Sequence, residues 1–157
     1  MKIEVVIMKQ ITVQELDKML RTLGKSIKEV VKLTGFDEYE DWSCIKNYDD
    51  IINPNEIQLL DEYQTVMHQL CDILHVIEYQ QRRIIGEGVL SLNAQGYFAD
   101  EYHEYHCGHG IEFYFYDEWD EKWKWRTSRI EHNGERYYIV NNPDVELNGL
   151  RVRHRKR

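Results

Sequence analysis

The hydrophobic pattern of the chain changes at residues 83–92, which read Arg83-Ile84-Ile85-Gly86-Glu87-Gly88-Val89-Leu90-Ser91-Leu92. Ahead of this stretch, apolar residues recur at alternating spacings of three and four, which is the period of an amphipathic helix. Behind it, short runs rich in aromatic residues are separated by turn residues, which is typical of β-strands. The sequence therefore predicts an α+β protein, with a helical region at residues 1–85 and a β region at residues 86–157.

The first helix is predicted to begin with a capping box, because Thr12 is followed three residues later by Glu15. Gly24 is a candidate break in this helix, and Gly35 is a natural C-cap. The apolar stripe of the helix consists of Leu16, Leu20, Leu23, Ile27 and Val30.

The second helix shows the strongest periodic signal and is predicted to begin with Asn53 as its N-cap and Pro54 at its first position. Its stripe consists of Leu60, Tyr63, Met67, Leu70, Leu74 and Ile77. Two such helices are expected to pack as an antiparallel hairpin. A self-complementary stripe can also pair two copies of the chain, so a homodimer through the hairpin is a further expectation.

The β region contains two clear turn signals, Asn93-Ala94-Gln95-Gly96 and Asn133-Gly134, each between apolar or alternating segments. The aromatic run at residues 111–116 and the alternating run at residues 122–131 are predicted strands. Together with the segments around these turns and a last strand at residues 150–153, they make five short strands. This arrangement predicts a small antiparallel barrel of the SH3-like kind.

The bulk composition indicates a folded protein of one domain or two small parts, since the chain has 157 residues and is 42% hydrophobic. Residues 1–8, MKIEVVIM, are too short for a signal peptide or a membrane span; they predict a short strand, or extra residues ahead of a start at Met8. The three cysteines, Cys44, Cys71 and Cys107, indicate reduced thiols rather than a disulfide framework. We therefore expect a cytoplasmic protein.

Charge is distributed unevenly along the chain, whose net charge is -8. Nine acidic residues lie between positions 37 and 62, and in the connector between the two predicted helices Asp37, Glu38, Glu40 and Asp41 make an acidic surface. Basic residues dominate the C-terminus, which carries Arg151, Arg153, Arg155, Lys156 and Arg157. Such asymmetry can steer partners, and it is also typical of a solvated face and a frayed tail.

One cluster has metal-ligand chemistry, namely His103, His106, Cys107 and His109. Donors two or three residues apart can surround Zn²⁺ on a loop, although no paired-ligand motif completes the site. The alternative is a polar loop that packs a barrel corner. The chain has no phosphate-binding glycine loop, no nucleophile elbow and no separated Cys/His pair, so we predict a protein that is not an enzyme.

Tryptophans are interleaved with basic residues between Trp119 and Arg129. On a strand, Trp123 and Trp125 share one face with Arg129, and Lys124 and Arg126 share the other. The candidate binding residues are Trp119, Trp123, Lys124, Arg126, Arg151, Arg153 and Arg155. They can contact phosphates or an acidic protein, whereas a core position flanked by cations is favoured for Trp125.

An ordered set of short motifs runs through the β region. The motifs are HCGHGIE at residues 106–112, Trp125, RIEH at 129–132, YYIV at 137–140 and LNGLRV at 147–152. This set resembles a small family of unknown function from Gram-positive bacteria and their mobile genetic elements, and the resemblance covers about residues 86–154. It implies a bacterial accessory protein and no established activity.

Three functional hypotheses follow. The first is a non-enzymatic module that binds a protein or a nucleic acid. The second is a mobile-element inhibitor of a host defence nuclease, whose acidic surface imitates nucleic acid. The third is a zinc-binding protein that uses the His/Cys loop.

Overall fold

The structure, a computed structural model, describes residues 10–36 and 45–157. The chain divides between Gln81 and Arg82 into two units, which we call the helical unit and the sheet unit. The first strand of the sheet unit begins at Ile84. The strand expected within residues 1–8, and the acidic surface of the connector, lie outside the described residues.

Helix α1 spans Val13–Thr34 and begins with the predicted capping box. The Glu15 amide donates to the Thr12 hydroxyl at 3.1 Å, and the Thr12 amide donates to a Glu15 carboxylate oxygen at 2.8 Å. Gly35 ends the helix in the left-handed conformation with a φ of 64°. The candidate break at Gly24 is wrong, because α1 continues through it. Gly24 instead permits close packing, since a Cβ there would lie 3.0 Å from Cγ2 of Ile77.

Helix α2 spans Pro54–Gln81, and Asn53 caps it by accepting a hydrogen bond from the Asn55 amide at 3.0 Å. The helices run antiparallel, as predicted. Lys28 of α1 contacts Glu78 near the end of α2 at 2.8 Å, whereas the Phe36 ring beyond α1 packs edge-on against His68 at 5.2 Å.

The predicted stripes are only partly buried. Ile27 of α1 is buried, as are four residues of α2, namely Met67, Cys71, Leu74 and Ile77. The remaining members of the α1 stripe, and Tyr63 of α2, are exposed. Two paired helices bury only the narrow strip of each surface that faces the other helix. The apolar stripes are wider than this strip, so their outer residues stay exposed.

The sheet unit has eight strands. They are β1 (Ile84–Val89), β2 (Ser91–Leu92), β3 (Phe98–Ala99), β4 (Glu104–Tyr105), β5 (Gly110–Asp117), β6 (Lys122–His132), β7 (Tyr137–Ile139) and β8 (Arg151–Arg155). Both predicted turns are present, since β2 pairs with β3 across residues 93–96 and β6 pairs with β7 across Asn133-Gly134.

The strands form a five-stranded sheet in the order β1-β8-β5-β6-β7 and a separate three-stranded sheet in the order β2-β3-β4. The α+β class is therefore confirmed, and the pairs are antiparallel. The SH3-like barrel is not confirmed: among the described strands β1 and β7 are open edges, and the sheet does not close. The physical reason is that closure depends on pairing between distant strands, and β2, β3 and β4 pair with one another in the small sheet instead.

The core of the sheet unit lies on one face of the five-stranded sheet. Ile111, Phe113 and Phe115 alternate along β5 and are buried with Ile130 of β6 and Val152 of β8. Leu90 and Tyr105 complete this core from the side of the small sheet. The intervening side chains of β5, β6 and β8 therefore point to the opposite face.

Candidate binding surface

Aromatic side chains line the face of the sheet that points away from the core. In the β5–β6 register, Tyr114 lies opposite Trp125 and Tyr116 lies opposite Trp123. The neighbouring strand β8 contributes Arg151 and Arg153 to this face, because Val152 between them points into the core. We call these six residues, Tyr114, Tyr116, Trp123, Trp125, Arg151 and Arg153, the aromatic–arginine face.

The four rings form a contiguous row. Tyr114 stacks on Trp123 with centroids 5.3 Å apart and planes at 21°, and its centroid lies 5.1 Å from that of Trp125. Tyr116 contacts Trp123 at 5.7 Å. Trp123 keeps 60% of its surface exposed and Tyr116 keeps 45%, so the outer end of the row presents π surface to solvent.

Guanidinium groups lie over the inner end of the row. The Cζ atom of Arg153 is 4.4 Å from the centroid of Trp125, and that of Arg151 is 5.3 Å from the centroid of Tyr114. These are cation–π distances. The Nε atom of Arg153 is buried and has no hydrogen-bond partner among the described residues, which is consistent with a guanidinium held against a ring.

A buried carboxylate on β5 binds two of the three β8 arginines. Glu112 is only 3% exposed, and it accepts hydrogen bonds from Arg155 at 2.9 and 3.1 Å and from Arg153 at 2.5 Å. Burial alone would raise the pKa of Glu112, but these hydrogen bonds and charges outweigh it and hold the pKa below its usual value. The guanidinium groups of Arg153 and Arg155 therefore both bind this one carboxylate.

A group of basic residues lies where β1 begins and β8 ends. The Lys156 amide donates to the Arg83 carbonyl at 2.9 Å, and the Arg155 guanidinium donates to the Arg82 carbonyl at 3.0 Å. These bonds place Arg82 and Arg83 beside the C-terminal basic residues. We call Arg82, Arg83, Lys156 and Arg157 the basic end. Sequence reasoning missed the contribution of Arg82 and Arg83, and only the β1–β8 register could have revealed it.

Two of the predicted basic residues lie on the other face of the sheet. Lys124 binds Asp117 at 2.6 Å and also contacts Asp120, and Arg126 lies 3.7 Å from Asp117. The hydrogen bond with Asp117 raises the pKa of Lys124, and it lowers the pKa of Asp117. Sheet alternation thus separates these two cations from Trp123, so the predicted binding residues do not form one surface. Trp125, expected in the core, lies instead half-buried in the aromatic row.

Trp119 lies apart from the row, in the turn between β5 and β6, and is 94% exposed. Its amide donates to Asp117 at 3.0 Å, and Glu121 in the same turn adopts a left-handed φ of 52°. Residues 117–121 read Asp-Glu-Trp-Asp-Glu, and we call them the acidic turn.

The His/Cys loop does not gather its four predicted ligands around one point. His103 Nε2 lies 3.1 Å from His109 Nδ1, which also accepts from the His106 amide at 3.2 Å. The His106 ring instead faces Glu104 at 3.0 Å, and Cys107 is exposed. Burial, with the charges of His109 and Arg157, lowers the pKa of His103. Among residues 10–36 and 45–157, no group of three His, Cys, Asp or Glu side chains is placed to hold a metal ion.

A buried Asp–His pair fixes the neighbouring loop to β8. Asp100 contacts His154 Nε2 at 2.6 Å and accepts from the amides of Tyr102 and His103 at 3.1 and 2.9 Å. The two glycines of the Gly86-Glu87-Gly88 stretch make room for this loop. A Cβ on Gly88 would lie 2.0 Å from Asp100, and one on Gly86 would lie 2.3 Å from the Tyr102 ring.

The comparisons with known proteins identify the sheet unit only. A DUF5348 domain, a domain of unknown function, is found at residues 88–154. No curated protein and no solved structure matches the chain. The resemblance to a small family of unknown function is therefore confirmed for the C-terminal part. The aromatic–arginine face lies wholly within the DUF5348 domain, whereas all four residues of the basic end flank it.

Neither α1 nor α2, the two α-helices of the described chain, combines the length and the apolar character needed to cross a membrane.

Proposed function

We propose that this protein is a non-enzymatic nucleic-acid-binding module, in which the aromatic–arginine face and the basic end form one binding surface. The observation that supports this most strongly is the continuity of the two chemistries. Arg153 lies over Trp125 at 4.4 Å, and the same strand leads two residues later to Arg155 and then to Lys156 and Arg157.

A nucleic acid is the partner that uses both halves of such a surface. Its bases stack on aromatic rings, and its phosphates attract arginine and lysine. Along β8 three arginines reach this face, where Arg151 contacts Glu87 and both Arg153 and Arg155 contact Glu112. An acidic protein could neutralise the cations, but it would leave the exposed rings of Trp123 and Tyr116 without flat partners.

The other two hypotheses gain no support from the described residues. Four acidic residues of the nuclease-inhibitor hypothesis, Asp37, Glu38, Glu40 and Asp41, lie outside the described ranges, and nothing tests the rest of the acidic stretch at residues 37–62, so this idea stays a prediction. The zinc hypothesis also stays a prediction, and the use of His109 Nδ1 by His106 and His103 speaks against a shared site.

Salt dependence tests the proposed function. We expect the full chain to bind a labelled mixed-sequence oligonucleotide, single-stranded or annealed, more weakly as salt rises from about 50 to 200 mM. Substituting three residues of the basic end, Arg83→Gln, Lys156→Gln and Arg157→Gln, should reduce the slope of log K against log salt by about 0.7 per lost phosphate contact on a single strand. Fluorescence anisotropy measures both quantities.

The matched control removes the same charge from exposed positions of α1, by Lys18→Gln, Lys25→Gln and Lys32→Gln. It should leave the salt slope unchanged. Absence of binding at the lowest salt, or equal loss in both triple variants, would contradict the proposal.

A further inference from the structure

We infer that the aromatic–arginine face selects single-stranded over double-stranded nucleic acid, by stacking unpaired bases on the rings of Trp123 and Tyr116. This inference rests on the proposed function and adds the form of nucleic acid that is recognised. It follows from three properties of the sheet unit: the accessibility of the rings, the absence of a groove-reading element, and the charge at the two ends of the ring row.

The accessible rings lie at one end of the row. Trp123 and Tyr116 are exposed, whereas Tyr114 and Trp125 are half-buried between their neighbours and the β8 arginines. An exposed ring can accept a base only if the face of that base is free. In a duplex each base face is covered by the adjacent base pair, so stacking on the rings needs an unpaired base.

The sheet unit lacks the element that commonly reads a duplex. Within Arg82–Arg157 the structure contains strands and turns but no helix to enter a major groove. The only long ribbon, β5–β6, ends in the acidic turn. At this tip Asp117 and Asp120 bind Lys124, so the phosphates of a groove would be repelled by the exposed carboxylates of Glu118 and Glu121.

The basic end and the acidic turn together define the path that a bound strand would follow across the sheet. The basic end lies where β1 and β8 meet, and the acidic turn lies at the far end of β5 and β6. A strand held by its phosphates at the basic end can pass over Arg153 and Arg151 and reach Trp123 and Tyr116 before the acidic turn repels it. The two exposed rings give stacking positions for about two bases, as other sheet surfaces that bind RNA do.

The test compares four ligands on the full chain at one salt concentration: a mixed-sequence single strand, its duplex, the same strand with adjacent abasic sites, and poly-glutamate of similar charge. We expect the single strand to bind at least tenfold more tightly than the other three. Trp123→Ala should weaken single-strand binding about tenfold, and Trp123→Phe should restore most of it. Trp119→Ala, which removes an exposed tryptophan from the acidic turn, is the matched control and should change nothing.

The outcomes distinguish the single-strand inference from the proposed nucleic-acid binding. Binding of the duplex or the abasic strand as tightly as the intact strand would overturn the single-strand inference while leaving nucleic-acid binding in place. Binding of poly-glutamate alone, or of no ligand, would overturn both. The ligand comparison uses the unaltered chain, so it tests the preference for a single strand even if Trp123→Ala fails to fold. In that case Tyr116→Ala tests the contribution of the other exposed ring.

Discussion

Glu112 holds two arginines of β8 in place beside the proposed binding surface. Its carboxylate is buried and is shared by Arg153 and Arg155. Glu112→Gln would remove the charged partner that the poorly exposed guanidinium groups of Arg153 and Arg155 share. We expect this substitution to reduce the free energy of unfolding by about 3 kcal/mol, the usual cost of breaking a buried ion pair. Urea denaturation followed by tryptophan fluorescence measures the loss, because three of the four tryptophans lie in the sheet unit.

The control for this substitution is Glu87→Gln. Glu87 pairs with Arg151 in a partly exposed bridge, whose side chains keep 39% and 53% of their surface. An exposed pair contributes at most about 1 kcal/mol, so the control should be nearly as stable as the parent. If both variants lose the same small amount, Glu112 does not anchor the β8 arginines as described.

The contacts of Glu112 determine the direction in which the free energy of unfolding changes with pH. The pKa of Glu112 is lower in the folded state than in the unfolded chain, so folding favours its ionised form. Its contribution is therefore fully present above the unfolded pKa of about 4.3, and it is lost as the pH falls through the lower folded value. We expect the free energy of unfolding to fall between about pH 5 and pH 3, and to fall less steeply in Glu112→Gln. Equal pH profiles for the two proteins would contradict this account.

Position 88 needs a glycine because the Asp100 side chain occupies the space that a Cβ would fill. Asp100 cannot retreat, because one of its oxygens contacts His154 and the other accepts two backbone amides. Gly88→Ala should therefore destabilise the sheet unit by about 1–3 kcal/mol, as overpacking does. Gly110→Ala on β5 is the control: its Cβ would meet only the Ser128 carbonyl, at 3.9 Å. Thermal unfolding compares the two, and an equally small effect would show that Asp100 moves aside.

At the scale of elements, Gly24 gives the sharpest test of the helical hairpin. The α1–α2 seam has no space for a large side chain here, since even a Cβ would lie 3.0 Å from Ile77. Gly24→Leu should separate the helices and cost about 1–3 kcal/mol in spite of the higher helix propensity of leucine. Ser26→Leu, at an exposed position of the same helix, should cost much less. The thermal midpoint from circular dichroism at the helical band distinguishes them, and equal midpoints would contradict the close packing.

Which elements the sequence could predict depends on how local their causes are. The capping box of Thr12 and Glu15, the Asn53 cap and the Asn133-Gly134 turn involve neighbouring residues, and all are present. The insertion of β8 between β1 and β5 joins segments more than sixty residues apart in the case of β1, and no local pattern encodes it. The expectation of a barrel failed for the same reason, since closure depends on which distant strands pair.

At the scale of the whole molecule, the candidate surface could be predicted in part. The two-residue alternation of β6 places Trp123 and Trp125 together and Lys124 on the opposite face, as strand geometry requires. The union of Arg82 and Arg83 with the C-terminal basic residues needed the β1–β8 register. The stacking of Arg153 on Trp125 could not be predicted, because it depends on the order of β8, β5 and β6 in the sheet, which no local sequence pattern indicates.

Binding at the aromatic–arginine face is measured by following the indole N–H signals by NMR while a single strand of about ten nucleotides is added to the labelled chain. Trp→Phe variants assign each signal. We predict that the signals of Trp123 and Trp125 shift or broaden to saturation, whereas the signal of Trp119 in the acidic turn stays in place. Saturation with the signals of Trp123 and Trp125 unmoved, or with Trp119 as the tryptophan that responds, would contradict the assignment of the binding surface.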